Sequence, residues 1–141
     1  MHTVYLSLGT NLGYKEQNLL SAIKEIERRI GPVRAQSAFL ATEPWGFESE
    51  NTFLNAAVRV ETELSPNALL RITQQIEREM GRTVKSMGGK YHDRIIDIDI
   101  LLYDDLHINT KKLTIPHPHM YERDFVLIPL KEILLTKDTK Q

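Results

Sequence analysis

Cysteine is absent from the chain of 141 residues. Its absence excludes a disulfide framework, a thiolate zinc site and a cysteine nucleophile. The chain also lacks an excess of basic charge, since its formal net charge is −1 at pH 7, and this disfavours a general nucleic-acid surface. The sequence has no apolar run long enough to span a bilayer, and its first residues are typical of a strand and not of a signal peptide. We therefore expect a cytoplasmic monomer that binds neither membrane nor nucleic acid.

The residues that are present have the balance of a globular protein. Apolar residues make up 41% of the chain and charged residues 26%, which suits a buried core under a charged surface. A chain of this length buries enough surface to fold without a metal or a covalent staple. We expect one domain that covers residues 1–141.

The hydrophobic pattern predicts four strands and two long helices. The strands are expected at Val4–Leu8, Val33–Ala41, Phe53–Glu63 and Ile95–Tyr103. Apolar residues recur at helical spacing in two stripes, Leu19, Ile23, Ile26 and Ile30, then Leu69, Ile72, Ile76 and Met80. Gly31 is expected to end the first helix, and Ser65 with Pro66 to begin the second.

The order of these elements is β-α-β-β-α-β with a C-terminal extension. That order predicts an α+β fold of the ferredoxin-like type, an antiparallel sheet with two helices packed on one face. In the extension, Thr114–His119 is too rich in proline for a central strand. The segment Phe125–Leu135 adds apolar mass.

Asp97 and Asp99 alternate with isoleucine in the last predicted strand. Residues two apart on a strand point to the same face, so the two side chains begin roughly 7 Å apart. The residues expected on the opposite, core side are Ile96, Ile98, Ile100 and Leu102. Two ionised carboxylates this close repel each other, and a divalent cation such as Mg²⁺ relieves the repulsion. Spacing alone leaves a second interpretation open, a pair of exposed acids on a half-solvated sheet face.

Basic residues are concentrated just before this pair. Arg94 lies three residues before Asp97, and Lys85, Lys90 and His92 are close by in sequence. Acidic and basic groups side by side suit a metal–polyphosphate complex, in which the acids hold the metal and the bases clamp the phosphates. An ordinary surface network of ion pairs is the alternative.

Six blocks of the sequence, in a fixed order, resemble a known family. One block runs from Arg94 to Leu101 and has the form Arg-x-x-Asp-x-Asp. The others are Gly9 to Gly13, Thr42 to Gly46, Phe53 to Val58, Gln74 to Arg82, and a C-terminal block in two parts, Leu113 to Pro118 and Arg123 to Leu127. Together they cover nearly the whole chain and resemble the hydroxymethyldihydropterin pyrophosphokinase family.

The chain departs from the family pattern just before the aspartate pair. Val84 stands where the family often has a second arginine, and Lys85 is expected to take part of that role. Tyr91-His92-Asp93 replaces the usual Trp-Gly-Pro, and Lys112 stands where an arginine is common. These departures concern the contacts to ATP and not the reaction.

The resemblance implies an enzyme of folate biosynthesis. The enzyme would transfer pyrophosphate from ATP to the hydroxymethyl group of 6-hydroxymethyl-7,8-dihydropterin and release AMP. Asp97 and Asp99 would hold two Mg²⁺ ions that bridge the phosphates. Arg82 and Arg94 would join them as catalytic residues, because a cation stabilises the charge that develops in the transition state.

The resemblance also implies a set of ATP-binding residues. His117 lies between two prolines, and the resemblance implies that it contacts the triphosphate. Gln74 and Glu77 share one edge of the second helix, where an ordinary polar edge is the alternative. The full set is Gln74, Glu77, Lys85, Arg94, Ile100, Lys112, Thr114, His117, Pro118 and Arg123.

A pterin site needs a stacking slot and a few polar groups. By the resemblance, Phe53 and Phe125 are the stacking pair, with plain core packing as the alternative. Asn55 shares the face of Phe53 and offers the ring edge both a donor and an acceptor. The full set implied for the pterin is Thr42, Pro44, Trp45, Phe53, Asn55 and Phe125.

Two other functions remain as alternatives. A magnesium-dependent phosphohydrolase or nuclease would use the same aspartates, although the near-neutral charge and the aromatic residues around Asn55 disfavour it. A non-catalytic ferredoxin-like ligand-binding domain would not need Asp97 and Asp99 together. An ordinary P-loop kinase is excluded, because the sequence has no Gly-x-x-x-x-Gly-Lys-Ser/Thr motif.

Overall fold

The structure is a computed structural model that describes residues 1–42, 52–81 and 95–134. Helices in these ranges are α1 (Lys15–Arg29), α2 (Pro66–Glu79) and α3 (Asp124–Leu134). The strands are β1 (His2–Thr10), β2 (Val33–Gln36), β3 (Leu40–Thr42), β4 (Phe53–Thr62), β5 (Asp97–Tyr103), β6 (Ile108–Asn109) and β7 (Thr114–Ile115).

The main sheet is antiparallel and has the strand order β2-β4-β1-β5, with β3 also paired to β4. With β2 and β3 counted as one interrupted strand, this is the ferredoxin-like order, so the predicted fold class is confirmed. The prediction of one continuous strand over Val33–Ala41 is wrong. Between β2 and β3 the hydroxyl of Ser37 accepts a hydrogen bond from the backbone N–H of Ala57 at 2.9 Å. A side chain there takes the place of a backbone carbonyl, and the ladder breaks.

One face of the sheet forms the main core with α1 and α2. Its inward residues alternate along β1, β4 and β5, and the helices contribute the predicted apolar stripes. Members of this core include Val4, Leu6, Leu8, Leu19, Ile23, Ile26, Val58, Val60, Leu69, Ile76, Ile98 and Ile100. The two helix predictions are confirmed by these contacts.

The helix ends follow the predicted chemistry. The hydroxyl of Ser65 accepts a hydrogen bond from the N–H of Ala68 at 3.2 Å, and Pro66 opens α2. Gly31 follows the end of α1, where an added Cβ would lie 1.8 Å from the backbone oxygen of Glu61. Only glycine lets the chain pass this close to β4.

The opposite face of the sheet is covered in part by α3. Val126, Leu130 and Met120 pack with Leu101 of β5, and Ile133 packs with Ala35 and Ala57. The sequence predicted only apolar mass here, because Pro129 interrupts the pattern that predicts a helix. We call this side of the sheet the α3 face.

A β-bulge divides β5 into two parts. Tyr5 of β1 pairs with Leu102 and Leu6 pairs with Ile100, which leaves Leu101 as one extra residue. The bulge turns Leu102 to the α3 face, where it packs beside Leu101. The prediction that Leu102 lies on the core side is therefore wrong, whereas Ile96, Ile98 and Ile100 are in the main core as predicted.

The extension contributes a small second sheet of β6 and β7, followed by a cis peptide bond between Ile115 and Pro116. The Thr114–His119 segment is therefore not part of the main sheet, as its prolines predicted. Among the described residues, no helix combines the length and the apolar character needed to cross a membrane.

Candidate active site

The aspartate pair lies on the α3 face, beyond the part that α3 covers. Asp97 is paired with Gly9 and Asp99 with Ser7, while the isoleucines that alternate with them point into the core. Both carboxylates are half-buried and line one cleft. The predicted arrangement of two acids on one strand face is therefore present.

The cleft beside the aspartates has a volume of about 360 Å³. It lies between α2, the first half of β5 and the segment that leads into α3. Predicted site residues that line it are Gln74, Glu77, Asp97, Asp99, His117, Pro118 and Arg123. Residues from three distant parts of the sequence thus meet at one cleft.

A second cavity of about 220 Å³ adjoins the cleft along the outer edge of β5. The two share Asp99, His117 and Pro118 in their walls. The smaller cavity adds the remaining described members of the predicted ATP set, Ile100, Lys112 and Thr114. The Ile100 side chain is buried in the core, so this residue meets the cavity mainly through its backbone.

His117 has a defined environment. Burial, then the positive charges of Arg123 and His119, lower the pKa of its imidazole below the ordinary range, although Asp97 acts in the opposite direction. Its Nδ1 accepts a hydrogen bond from the backbone N–H of His119 at 3.3 Å. The ring is therefore neutral at pH 7 and carries its hydrogen on Nε2, which makes it a donor for an anionic ligand.

Glu77 lines the cleft with the other predicted residues, and it also has a contact within the protein. Its carboxylate is buried, with 5% of the residue exposed. Oε2 accepts a hydrogen bond from the backbone N–H of Ile98 at 2.8 Å. The side chain thus binds the strand between the two aspartates, which the sequence did not indicate.

Asn55 and Thr42 lie on the other side of Gly9. The Asn55 Nδ2 donates a hydrogen bond to the Thr42 hydroxyl at 2.8 Å, and this contact fixes which way the amide points. Oδ1 then borders Gly9, since an added Cβ on that glycine would lie 3.0 Å from it and 3.7 Å from Phe53. The amide, the glycine and the first ring of the predicted stacking pair are therefore neighbours.

Phe125 begins the apolar side of α3. It is half-buried against Leu101 and its neighbours on the α3 face. The guanidinium of Arg123 lies 5.9 Å from the Phe125 ring centre, within the range of a cation–π contact. A residue predicted for the phosphates and a residue predicted for the pterin are thus in contact.

Five predicted site residues lie outside the described part of the chain. They are Pro44, Trp45, Arg82, Lys85 and Arg94. Their predicted roles stay predictions.

Gly9 is the site residue whose part the sequence did not reveal. It pairs with Asn55 on one side and with Asp97 on the other. Adjacent strands lie about 4.8 Å apart, so the amide and the carboxylate are separated by about 10 Å of sheet with no side chain between them. This gap is identified by the register of β1 with both of its neighbouring strands. That register can be known only once the order of the strands in the sheet is known.

The donor set fits a divalent cation that is shared with a substrate. No group of three or more His, Cys, Asp or Glu that could hold a metal occurs among residues 1–42, 52–81 and 95–134. Two carboxylates, with other ligands from water and phosphate oxygens, are a typical Mg²⁺ shell. An α+β domain with such a pair facing Arg123 and a neutral histidine is typical of enzymes that act on a metal-bound polyphosphate.

The chain belongs to the 7,8-dihydro-6-hydroxymethylpterin-pyrophosphokinase (HPPK) family, whose sequence model matches residues 5–135. It is 52% identical over 134 residues to the 2-amino-4-hydroxy-6-hydroxymethyldihydropteridine pyrophosphokinase of Porphyromonas gingivalis, covering 94% of this chain and 91% of the relative. The Bacillus subtilis protein of the same name is 44% identical over 130 residues, or 92% of this chain and 76% of the relative.

Solved structures agree with the fold. A crystal structure of HPPK-DHPS in complex with substrates matches with a TM-score of 0.74 and 16% identity over 94% of this chain. Plasmodium falciparum HPPK-DHPS, wild type with pteroate, matches with a TM-score of 0.73 and 17% identity over 92%. The chain spans 40% of the length of each of these solved chains, and at such identities the likeness concerns the fold alone.

Proposed function

We propose that this protein transfers the terminal diphosphate of ATP to the hydroxymethyl group of 6-hydroxymethyl-7,8-dihydropterin, with Mg²⁺, in the pyrophosphokinase step of folate biosynthesis. The products are AMP and the pterin diphosphate. The observation that carries the proposal is the single cleft that joins the aspartate pair to His117 and Arg123. The family membership agrees with the same reaction.

Asp97 and Asp99 hold the metal in this proposal, with two Mg²⁺ ions expected. Their shared face and half-buried position suit ions that also contact the substrate. When bound, Mg²⁺ neutralises charge on the triphosphate and on the oxygens of the transferring group. The isoleucines that alternate with the aspartates anchor the strand in the core, so both carboxylates are held on one side.

The triphosphate is bound on the other wall of the cleft. The Nε2–H of His117 donates to a phosphate oxygen, and Arg123 adds a positive charge with several donors. Arg82, Lys85 and Arg94, outside the described residues, are proposed to complete the clamp, with Arg82 and Arg94 acting in the transition state.

The nucleoside of ATP is proposed to occupy the smaller cavity. Because Ile98 directs its N–H away from β1, Ile100 does the same two residues further along the strand. The backbone of Ile100 thus offers a donor and an acceptor to a base edge, and Thr114 and Lys112 border the same space. Gln74 lines the adjoining cleft on α2.

The pterin is proposed to lie over Gly9. Asn55 presents its Oδ1 to a donor on the ring edge, and Phe53 borders the same space. Phe125 is proposed to stack on the other face of the ring, with Thr42, Pro44 and Trp45 around its edge. Since Gly9 also pairs with Asp97, a pterin there has its hydroxymethyl group beside the metal site.

The reaction is then an in-line substitution at the β-phosphorus of ATP. The substrate hydroxyl gives up its proton and its oxygen forms a bond to this phosphorus. The bond to the oxygen bridging the α- and β-phosphates breaks, so AMP leaves with the electron pair. The contribution of the protein is to align the two substrates and to stabilise the charge.

The test is an AMP-release assay with the pterin alcohol and Mg-ATP. Asp97→Asn and Asp99→Asn keep the side-chain shape and remove the charge. Each is expected to lower the rate by more than about 100-fold, since even outer-shell partners of a metal account for up to that factor. Asp105→Asn, an exposed aspartate after the same strand, is the matched control and is expected to keep its activity.

Three outcomes contradict the proposal. Near-wild-type activity of either site variant would remove the metal assignment. AMP or phosphate release that does not need the pterin alcohol would favour a phosphohydrolase. Nucleotide binding that is independent of Mg²⁺, with no AMP formed, would favour a non-catalytic binding domain.

A further inference from the structure

The strand that carries the aspartate pair is an edge strand. In the described part of the chain, β5 pairs with β1 on one side only. The backbone groups of Ile98 and Ile100 therefore point away from the sheet. The outer side of this strand has no ladder to fix it, yet metal ligands need a fixed backbone.

Among the residues that the structure describes, two contacts hold this edge. Glu77, from the last part of α2, accepts the outward N–H of Ile98 at 2.8 Å. The backbone N–H of His117 donates to the carbonyl of Leu101 at 3.0 Å. The first contact falls between Asp97 and Asp99, and the second falls just beyond them.

Burial gives the Glu77 contact its importance. A polar group buried to this degree is costly unless hydrogen bonds satisfy it, and the Ile98 N–H donates such a bond at 2.8 Å. The main chain of Ile98 lies in the centre of the Asp97–Asp99 segment, so a shift there would change the separation of both carboxylates.

We propose that Glu77 is a positioning residue that holds the β5 edge so that Asp97 and Asp99 keep the spacing Mg²⁺ requires. The proposal rests on the proposed function for the meaning of the metal. It replaces the expectation of a direct contact between Glu77 and ATP. A positioning role predicts a loss specific to the metal, whereas a ligand contact predicts a loss of nucleotide affinity whether or not Mg²⁺ is present.

Two variants separate these roles. Glu77→Met keeps the buried volume and the helix preference and removes the acceptor, whereas Glu77→Gln keeps an acceptor oxygen for the Ile98 N–H. Glu79→Gln is the matched control, because Glu79 is an exposed acid on the same helix and pairs with Arg29.

The first measurement does not involve the reaction. Amide hydrogen exchange of Ile98, read by NMR, is expected to speed up by more than about 10-fold in Glu77→Met and to stay close to wild type in Glu77→Gln and Glu79→Gln. The second is the Mg²⁺ concentration at half-saturation for binding of a non-hydrolysable ATP analogue. It is expected to rise about 10-fold or more in Glu77→Met, the range known for outer-shell partners of a metal, and by less than about 3-fold in the other two. Analogue binding in EDTA is expected to stay the same in all three variants.

An unchanged Mg²⁺ requirement in Glu77→Met would overturn the proposal, as would an equal loss of analogue affinity with and without the metal. If Glu77→Met does not fold, Glu77→Gln becomes the test variant. A rise of more than about 10-fold in the Mg²⁺ requirement of Glu77→Gln would then overturn the proposal. A wild-type protein that binds the analogue independently of Mg²⁺ contradicts the proposed function instead. The hydrogen exchange of Ile98 tests the contact with Glu77 whichever of these binding results is obtained.

Discussion

At the scale of single residues, the site depends on the glycine at position 9, which has no side chain, as much as on the side chains around it. Gly9 separates the Asn55 amide from the Asp97 carboxylate on three adjacent strands. Its backbone is extended, so alanine would be allowed there by conformation. The constraint is the space above it, where a Cβ would lie 3.0 Å from the Asn55 Oδ1.

Gly9→Ala is therefore expected to fold and to lose pterin affinity. The added methyl group occupies the floor of the proposed slot and displaces the amide, so pterin affinity should fall by about 10-fold, which is about 1.4 kcal/mol. Calorimetric titration of the pterin in the presence of a non-hydrolysable ATP analogue measures this loss. Affinity for the nucleotide alone is the internal control, and a parallel loss of both would argue against a slot at Gly9.

Residue patterns predicted the aspartate pair well because a strand places alternate side chains on one face whatever surrounds it. The faces of Asp97, Asp99 and the isoleucines that alternate with them could be predicted without tertiary information. Glu77 could not be predicted in the same way. Its position on a helix edge suits a solvent-facing acid, and only the packing of α2 against β5 brings it to the Ile98 backbone.

At the scale of elements, two hydrogen bonds between described residues connect the α2 region to β5. One is the Glu77 contact near the start of the strand. The other is at its end, where the Tyr103 hydroxyl donates to the carbonyl of Leu64, just before α2, at 2.5 Å. Burial, with a smaller effect from Asp104, raises the pKa of this phenol, so it stays a donor.

Tyr103→Phe is expected to destabilise the fold by about 1–3 kcal/mol, because it leaves the Leu64 carbonyl without this donor in a half-buried place. Urea unfolding measures the change, with one common slope of the free energy of unfolding against urea concentration fitted for both proteins. Tyr121→Phe, at an exposed tyrosine, is the control and should change stability by less than about 0.5 kcal/mol. Equal stability of Tyr103→Phe and wild type would mean that the two elements do not depend on this tie.

Some element boundaries are determined by the residues of their own segment, and others by contacts with residues distant in the sequence. Ser65-Pro66 and Gly31 act through the backbone of their own segment, so their sequence signals were sufficient. The break between β2 and β3 depends on Ser37 meeting Ala57 of another strand. Helix α3 contains a proline, and its existence depends on the apolar sheet face that it covers.

At the scale of the whole molecule, the two faces of the sheet have different roles. One face forms the main core with α1 and α2. The other is shared between α3 and the site. The fold class followed from the element order, but the division of the second face did not, because it requires knowing where α3 packs.

Ligands that bind the folded protein should stabilise it by mass action. A non-hydrolysable ATP analogue with Mg²⁺, at 100 times its dissociation constant, is expected to add about 2.7 kcal/mol and to raise Tm by about 5–10 °C. Removing Mg²⁺ with EDTA should abolish most of the shift, and Asp97→Asn should do so at any magnesium concentration near the wild-type requirement. Differential scanning fluorimetry checks this, and an equal shift in EDTA would contradict a metal-dependent site.

The bulge in β5 also has a consequence for how the chain tolerates changes of length. Without Leu101, strict alternation would still place both aspartates and Leu102 on the α3 face and the isoleucines and Tyr103 in the core. Most one-residue deletions inside a strand reverse the faces of everything on one side of the cut. Leu101 is an exception because it is the extra residue of the bulge: its deletion leaves Asp97 paired with Gly9 and Asp99 paired with Ser7, on the same face as before. Chains one residue shorter at this point are expected to keep both faces of the sheet and the position of the aspartate pair, and to lose the packing of Leu101 against α3.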